Sequence, residues 1–137
     1  MSEEIKKYYS EMQNYLKQKA NEYDKTKSIE NKKKDIIEKV KDQAKTLEDL
    51  EKKRLEKLSL DQKTSEKDQQ KAVKKAGEIQ STEDKNKKMI LEIQKKESEL
   101  QKLRLELKEI DQDRDRALEK AQNIKPEGVE ELKLSVE

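Results

Sequence analysis

The chain has no cysteine, no histidine, no phenylalanine and no tryptophan, and its 137 residues include only two glycines and one proline. Without cysteine there is no disulfide framework, no thiolate nucleophile and no thiolate zinc site. Without histidine the commonest general base and metal ligand is missing as well. Two glycines cannot build a Gly-rich phosphate loop. An enzyme is therefore not expected, and the composition assigns no cofactor, no metal and no small-molecule substrate. Aromatics make up 3% and hydrophobic residues 29%, too few for a globular core of ordinary size. No apolar run approaches transmembrane length, and Met1-Ser2-Glu3-Glu4 lacks the basic flank and apolar stretch of a secretory signal. No membrane association is expected, and the expected compartment is the cytoplasm, with the nucleus as the alternative. An excess of one charge is lacking too: 34 basic and 32 acidic residues leave +2, with the signs interleaved, so nothing global draws the chain to nucleic acid.

What the chain does have is charge, at 48% of residues, and two long hydrophobic series with alternating three and four spacing. The second is the more regular: Ile79, Met89, Ile93, Leu100, Leu103, Leu107, Ile110, Ala117, Ala121 and Ile124, with Thr82, Asn86, Lys96 and Arg114 in the same phase. This is a coiled-coil seam, which needs another helix to cover it. The first runs Ile5, Tyr8, Met12, Tyr15, Lys19, Glu22, Thr26, Ile29, Lys33, Ile36, Val40, Gln43, Leu47, Leu50 and Arg54. Beside it Tyr9, Leu16, Tyr23 and Ile37 widen the apolar stripe beyond what one partner helix needs.

The two series are out of phase, and residues 61–70 between them hold no apolar side chain. Ser65 followed by Asp68 reads as a new helix N-terminus, and Ser2 reads as the cap of the first helix. A reversal about the midpoint between Thr64 and Ser65 faces Ile5 with Ile124, Tyr8 with Ala121, Met12 with Ala117, Ile29 with Leu100, Ile36 with Ile93, Val40 with Met89 and Leu50 with Ile79. Gln43 then faces Asn86, and Lys33 faces Lys96 as the poor layer. The flanking charges agree with this orientation: Glu11 meets Lys120, Lys25 meets Glu106, Lys32 meets Glu99, Lys39 meets Glu92 and Lys53 meets Glu78. A parallel pairing of the second seam with its own copy would oppose like charges instead. The fold class expected is all-α, an elongated antiparallel two-helix coiled-coil hairpin about 85 Å long at roughly 1.5 Å per residue. The alternative is one long helix in a swapped antiparallel dimer. The boundaries expected are 1–125 for the hairpin, with helix 3–60, turn 61–67 and helix 68–124, then a short tail at 126–137 opened by Pro126 and Gly128.

Chemical motifs are weak. Asp111-x-Asp113-x-Asp115 resembles the opening of a calcium loop, but Arg116 stands where glycine is required and Gln122 where a bidentate glutamate is required. Lys32-Lys33-Lys34 and Lys52-Lys53-Arg54 have acids beside them and no interleaved aromatic, so a nucleic-acid patch is not favoured. The function expected is that of a non-catalytic structural or assembly protein, a rod-like spacer or scaffold subunit in a larger complex, cytoskeletal assemblies included. Its partners are other proteins of helical kind, with self-association open. The alternatives are a helical-hairpin chaperone or export cofactor, and a nucleic-acid-binding arm. Candidate docking residues are Tyr9, Leu16, Tyr23 and Leu118 at the end where the termini meet, Leu91 and Leu105 on the outward face, and Val129, Leu132, Leu134 and Val136 of the tail.

Overall fold

A computed structural model of the chain describes residues 3–126. It is an all-α helical hairpin: α1 spans Glu3–Asp61, α2 spans Glu66–Ile124, and no strand occurs among the described residues. Glu3 and Glu4 occupy the first turn of α1, where the helix dipole favours carboxylates. Ser2 and the tail from residue 127, with Gly128, Val129, Leu132, Leu134 and Val136, lie outside the described residues.

The reversal is built by local hydrogen bonds. The Lys63 amide donates to the Leu60 carbonyl at 3.1 Å, closing the last turn of α1. The Asp68 amide donates to Ser65 Oγ at 3.2 Å, and that hydroxyl donates to Asp68 Oδ2 at 2.6 Å. Ser65 is thus the cap, which makes Glu66 the first helical residue and starts α2 ahead of 68. α2 runs unbroken through Gly77, around which a Cβ would meet nothing within 4 Å. It closes where the Lys125 amide donates to the Ala121 carbonyl at 2.9 Å, just before Pro126, which cannot extend a helix.

Contacts between the helices fall into two units, one formed by the chain up to Lys32 with the chain from Glu99, the other by Lys33–Ser98. In the first, Tyr8, Met12 and Ala121 form a buried cluster against which Tyr15 and Ile124 pack. Large residues on α1 meet small ones on α2 there, so the helices approach closely; Ala117 is buried as well. Farther along, Ile29 and Leu100 are buried, and two ion pairs lie beside them, Lys25 to Glu106 at 2.6 Å and Lys32 to Glu99 at 2.7 Å. Falling numbers on α2 against rising numbers on α1 make the pairing antiparallel.

In the second unit α2 presents the expected seam, with Ile93 and Thr82 buried and Met89, Asn86 and Ile79 half-buried, and buried Ala72 continues it in phase before Ile79. α1 does not. Val40 and Leu47, placed in the seam by the heptad pattern, are 47% and 44% exposed, whereas Thr46 is buried and donates to Met89 Sδ at 3.4 Å. The helix is turned so that Ile36, Gln43 and Leu50 share the seam with Lys39, Thr46 and Lys53. Charge explains the turn. The heptad seam would have faced Lys33 with Lys96 and Arg54 with Lys75, and burying uncompensated charge costs more than exposing one valine and one leucine. Turned outward, Arg54 pairs with Glu83 at 3.0 Å and Lys33 is exposed, while Lys96 bonds Asp35. The lysines that replace them reach polar partners at the rim while their stems cover the seam: Lys39 lies 3.3 Å from Glu92, and Lys53 donates to Thr82 Oγ1 at 2.9 Å. The amide layer forms as expected, Gln43 Nε2 donating to Asn86 Oδ1 at 3.4 Å.

Of the five expected charge pairs, Lys53–Glu78 is replaced and Glu11–Lys120 does not form. Lys53 pairs with Asp49 at 3.0 Å on its own helix, and Glu78 pairs with Lys75 at 2.9 Å, which also holds Glu56 at 2.8 Å. Glu11 has a buried carboxylate oxygen with no hydrogen-bond partner.

Candidate protein-docking surfaces

The docking residues expected at the end where the termini meet belong to the first unit. Tyr9, Leu16 and Tyr23 recur at heptad spacing on α1, and Leu118 sits on α2. Tyr9 and Tyr23 are each 41% exposed, while Leu16 and Leu118 are half-buried. Tyr9 is held by its neighbour: the Tyr8 and Tyr9 ring centres are 5.4 Å apart at 77°, an edge-to-face contact that fixes the exposed ring at low entropic cost. Tyr23 carries Lys27 Nζ 5.3 Å from its ring centre, a cation over an aromatic face. These rings present apolar bodies with polar rims, a combination enriched where proteins dock. Tyr8 itself is fully buried, and its hydroxyl has no hydrogen-bond partner among the described residues.

The same unit contains the aspartate run. Arg114 gathers it: its guanidinium bonds Glu22 across the hairpin and Asp115 at 3.1 Å and lies 3.5 Å from Asp111 Oδ1, which accepts no hydrogen bond, and Arg116 lies 3.7 Å from Asp113. Burial, and then the nearby Glu22 charge, push the Asp111 carboxyl above its usual range despite Arg114. Each aspartate has an arginine beside it, and no metal-holding cluster of acids occurs among the described residues. The Lys25 ammonium, by hydrogen bond and charge, holds the Glu106 carboxyl below its usual range.

Leu105 of the first unit and Leu91 of the second are 64% and 65% exposed, both on outward faces. The second unit has two further apolar surfaces that the sequence pattern did not single out. One is the face of α1 carrying Ile37, Val40 and Leu47, left bare by the turn of that helix. The other is beside the reversal, where Leu58 and Val73 are 57% and 74% exposed. Two grooves open there: one of about 460 Å³ between Leu60 and Lys71, Lys74 and Lys75, and one of about 360 Å³ lined by Leu60, Ala72, Val73 and Ala76. Residues 61–70 are themselves without an apolar anchor, so the signal for these grooves lay in Leu60, Ala72 and Val73 on the flanking helical turns.

A helical hairpin with a thin seam and bare apolar edges defines the class. The chain matches no protein-family model, no curated protein and no solved structure. No helix among the described residues is long and apolar enough to cross a membrane.

Proposed function

We propose that this protein is a non-catalytic assembly subunit, a helical-hairpin scaffold that binds helical segments of other proteins through apolar edges its own two helices leave uncovered. One observation carries the reading: among the described residues more large apolar side chains are exposed than are buried. Scattered exposed apolar residues are ordinary on any surface, but here they recur at helical spacing along edges, which is how a helix presents itself to a further helix. The end carrying Tyr9, Leu16, Tyr23 and Leu118 is the first such edge, and Val129, Leu132, Leu134 and Val136 of the tail are proposed as contacts for the same partners. Replacing Tyr23 and Leu118 by Glu and deleting 126–137 should abolish co-purification of specific partners while circular dichroism stays helical. Unchanged partners would reject that edge.

A second reading has its own support in the grooves beside the reversal. A hairpin chaperone or export cofactor would grip an extended or helical client segment with apolar surface at that end, and Leu60, Ala72, Val73 and Ala76 supply it. Exchanging 61–68 for a Gly-Asn loop together with Val73→Glu separates the two readings: the scaffold retains its partners, and the chaperone loses its client.

A further inference from the structure

We propose that the bare face of α1 in the second unit is a homodimer interface, on which α1 of a second copy packs antiparallel about a two-fold axis at Asp42. The face consists of Lys33, Ile37, Val40, Ala44, Leu47 and Glu51, at alternating four and three spacing. All six are exposed, with Ile37 and Val40 at 55% and 47%. At about 100° per residue the face lies roughly 110° around α1 from the seam with α2, the disposition of a bundle helix with two neighbours. It is therefore a second seam, without an occupant in its own chain.

The sequence of the face names the occupant, because it is self-complementary. Antiparallel about Asp42, Ile37 opposes Leu47 of the second copy and Val40 opposes Ala44 of the second copy, large against large at the ends and large against small at the centre. Lys33 then opposes Glu51 of the second copy, twice by symmetry, and closes both ends of the apolar centre. Neither the Lys33 nor the Glu51 side chain has a hydrogen bond or ion pair within its own chain among the described residues, so both are available. On the exposed edge Lys34 opposes Glu48 of the second copy, also twice. Lys41 meets its own copy, a like-charge pair whose long stems can carry the ammonium groups apart into water. A parallel arrangement would stack Lys33 on Lys33 and Glu51 on Glu51 inside the seam, which burial of like charge forbids. An isologous interface of this kind needs no second gene product, and it uses a surface separate from the edge at Tyr9 and Tyr23.

Sedimentation equilibrium of the full chain from about 1 to 300 µM is the test. Wild type should show a monomer–dimer equilibrium. Ile37→Glu, at a position exposed in the hairpin, should weaken it at least about tenfold with unchanged helicity in circular dichroism. Lys33→Glu should also weaken the dimer, and Lys33→Glu with Glu51→Lys should restore it. A wild-type chain monomeric throughout the range overturns the proposal. So does a dimer indifferent to Ile37→Glu, which would be formed by chain exchange or another face, and so does a double charge reversal that fails to restore association.

Discussion

Reversing Lys32 to Glu places a second carboxylate beside Glu99, at a point where the native ammonium lies 2.7 Å from Glu99 Oε2. The pair is neither buried nor free: the lysine side chain is 24% exposed and the glutamate 43%, between the buried Ile29 and Leu100 and open solvent. That intermediate setting fixes the magnitude. An exposed pair contributes about 0.2–1 kcal/mol, so the partial covering of Lys32 puts the coupling toward the top of that range, at roughly 0.5–1 kcal/mol. Near the transition this corresponds to a shift in Tm of about 2–6 °C. The measurement is a cycle of four proteins, wild type, Lys32→Glu, Glu99→Lys and the double reversal, melted by circular dichroism in dilute solution at low salt. Both single variants should be less stable than wild type, and the double should recover most of the loss, because the cycle cancels each residue's own helix propensity. The coupling should shrink at about 1 M salt, where the Debye length falls to roughly 3 Å. Additive single effects with no coupling at low salt would show that Lys32 and Glu99 are not neighbours, and the antiparallel register would fail with them.

Gly77 lies in the interior of α2 with open space where a Cβ would stand, so Gly77→Ala should raise stability by about 0.5–1 kcal/mol; a loss in urea melts would reveal a close approach there. Tyr8→Phe removes a buried hydroxyl without a partner among the described residues and should raise Tm or leave it unchanged; a loss above about 1 kcal/mol would show the hydroxyl to be bonded. The Asp111 carboxyl titrates above its usual range in the fold, so its ionisation opposes folding, in full above the folded pKa and not at all below the unfolded one. Asp111→Asn should therefore stabilise the hairpin at neutral pH, with an advantage that disappears as the pH falls below the ordinary carboxylate range; an advantage independent of pH would refute the assigned cause.

The features legible in the sequence were those set by local rules. Ser65 and Asp68 marked the start of α2 because a capping pair is recognisable within four residues, and the α2 seam was readable because its apolar and polar members keep one phase throughout. The antiparallel direction came from Lys25, Lys32 and Lys39 matching Glu106, Glu99 and Glu92. What the pattern misplaced was the face of α1 in the second unit. A hydrophobic count assigns Val40 and Leu47 to the seam with α2 and cannot weigh that gain against Lys33 and Arg54, which the same rotation would bury. The Lys33–Lys96 layer marked the conflict, but its resolution needs both helices, with Lys96 bonded to Asp35 and Arg54 paired with Glu83. Lys53 and Glu78 were likewise paired across the hairpin by numbering, whereas Asp49 and Lys75 on their own helices are nearer competitors. The edge at Tyr9, Leu16 and Tyr23 was legible as a stripe too wide for one neighbour. The grooves near the reversal were not, because Leu60 meets Ala72, Val73 and Ala76 around one groove only after the chain turns back.

The rotation of α1 can be tested on its own, because it separates two leucines three residues apart that the heptad phase makes equal. In an undistorted heptad seam Leu47 and Leu50 are equivalent, and truncating either costs the same. In the structure Leu50 is 3% exposed and Leu47 44%. Truncating a buried leucine removes its transfer free energy and leaves a cavity that neighbouring side chains fill only in part, so Leu50→Ala should cost about 2–4 kcal/mol. Leu47→Ala removes a side chain still largely in water, so its cost to the hairpin should stay under about 1 kcal/mol. The comparison belongs in dilute protein, where a second copy does not cover Leu47, and in the Ile37→Glu background as a control. Thr46 supplies the matching test from the other side of the turn. Its hydroxyl is bonded to the Asp42 carbonyl at 3.1 Å on its own helix and to the Met89 sulfur, a weak acceptor, so Thr46→Val exchanges a buried polar group for a methyl of the same shape and should be neutral or stabilising. Were α1 seated in its heptad phase instead, Thr46 would lie at the solvated rim and Leu47 inside, and equal losses for the two leucines would return the helix to that phase.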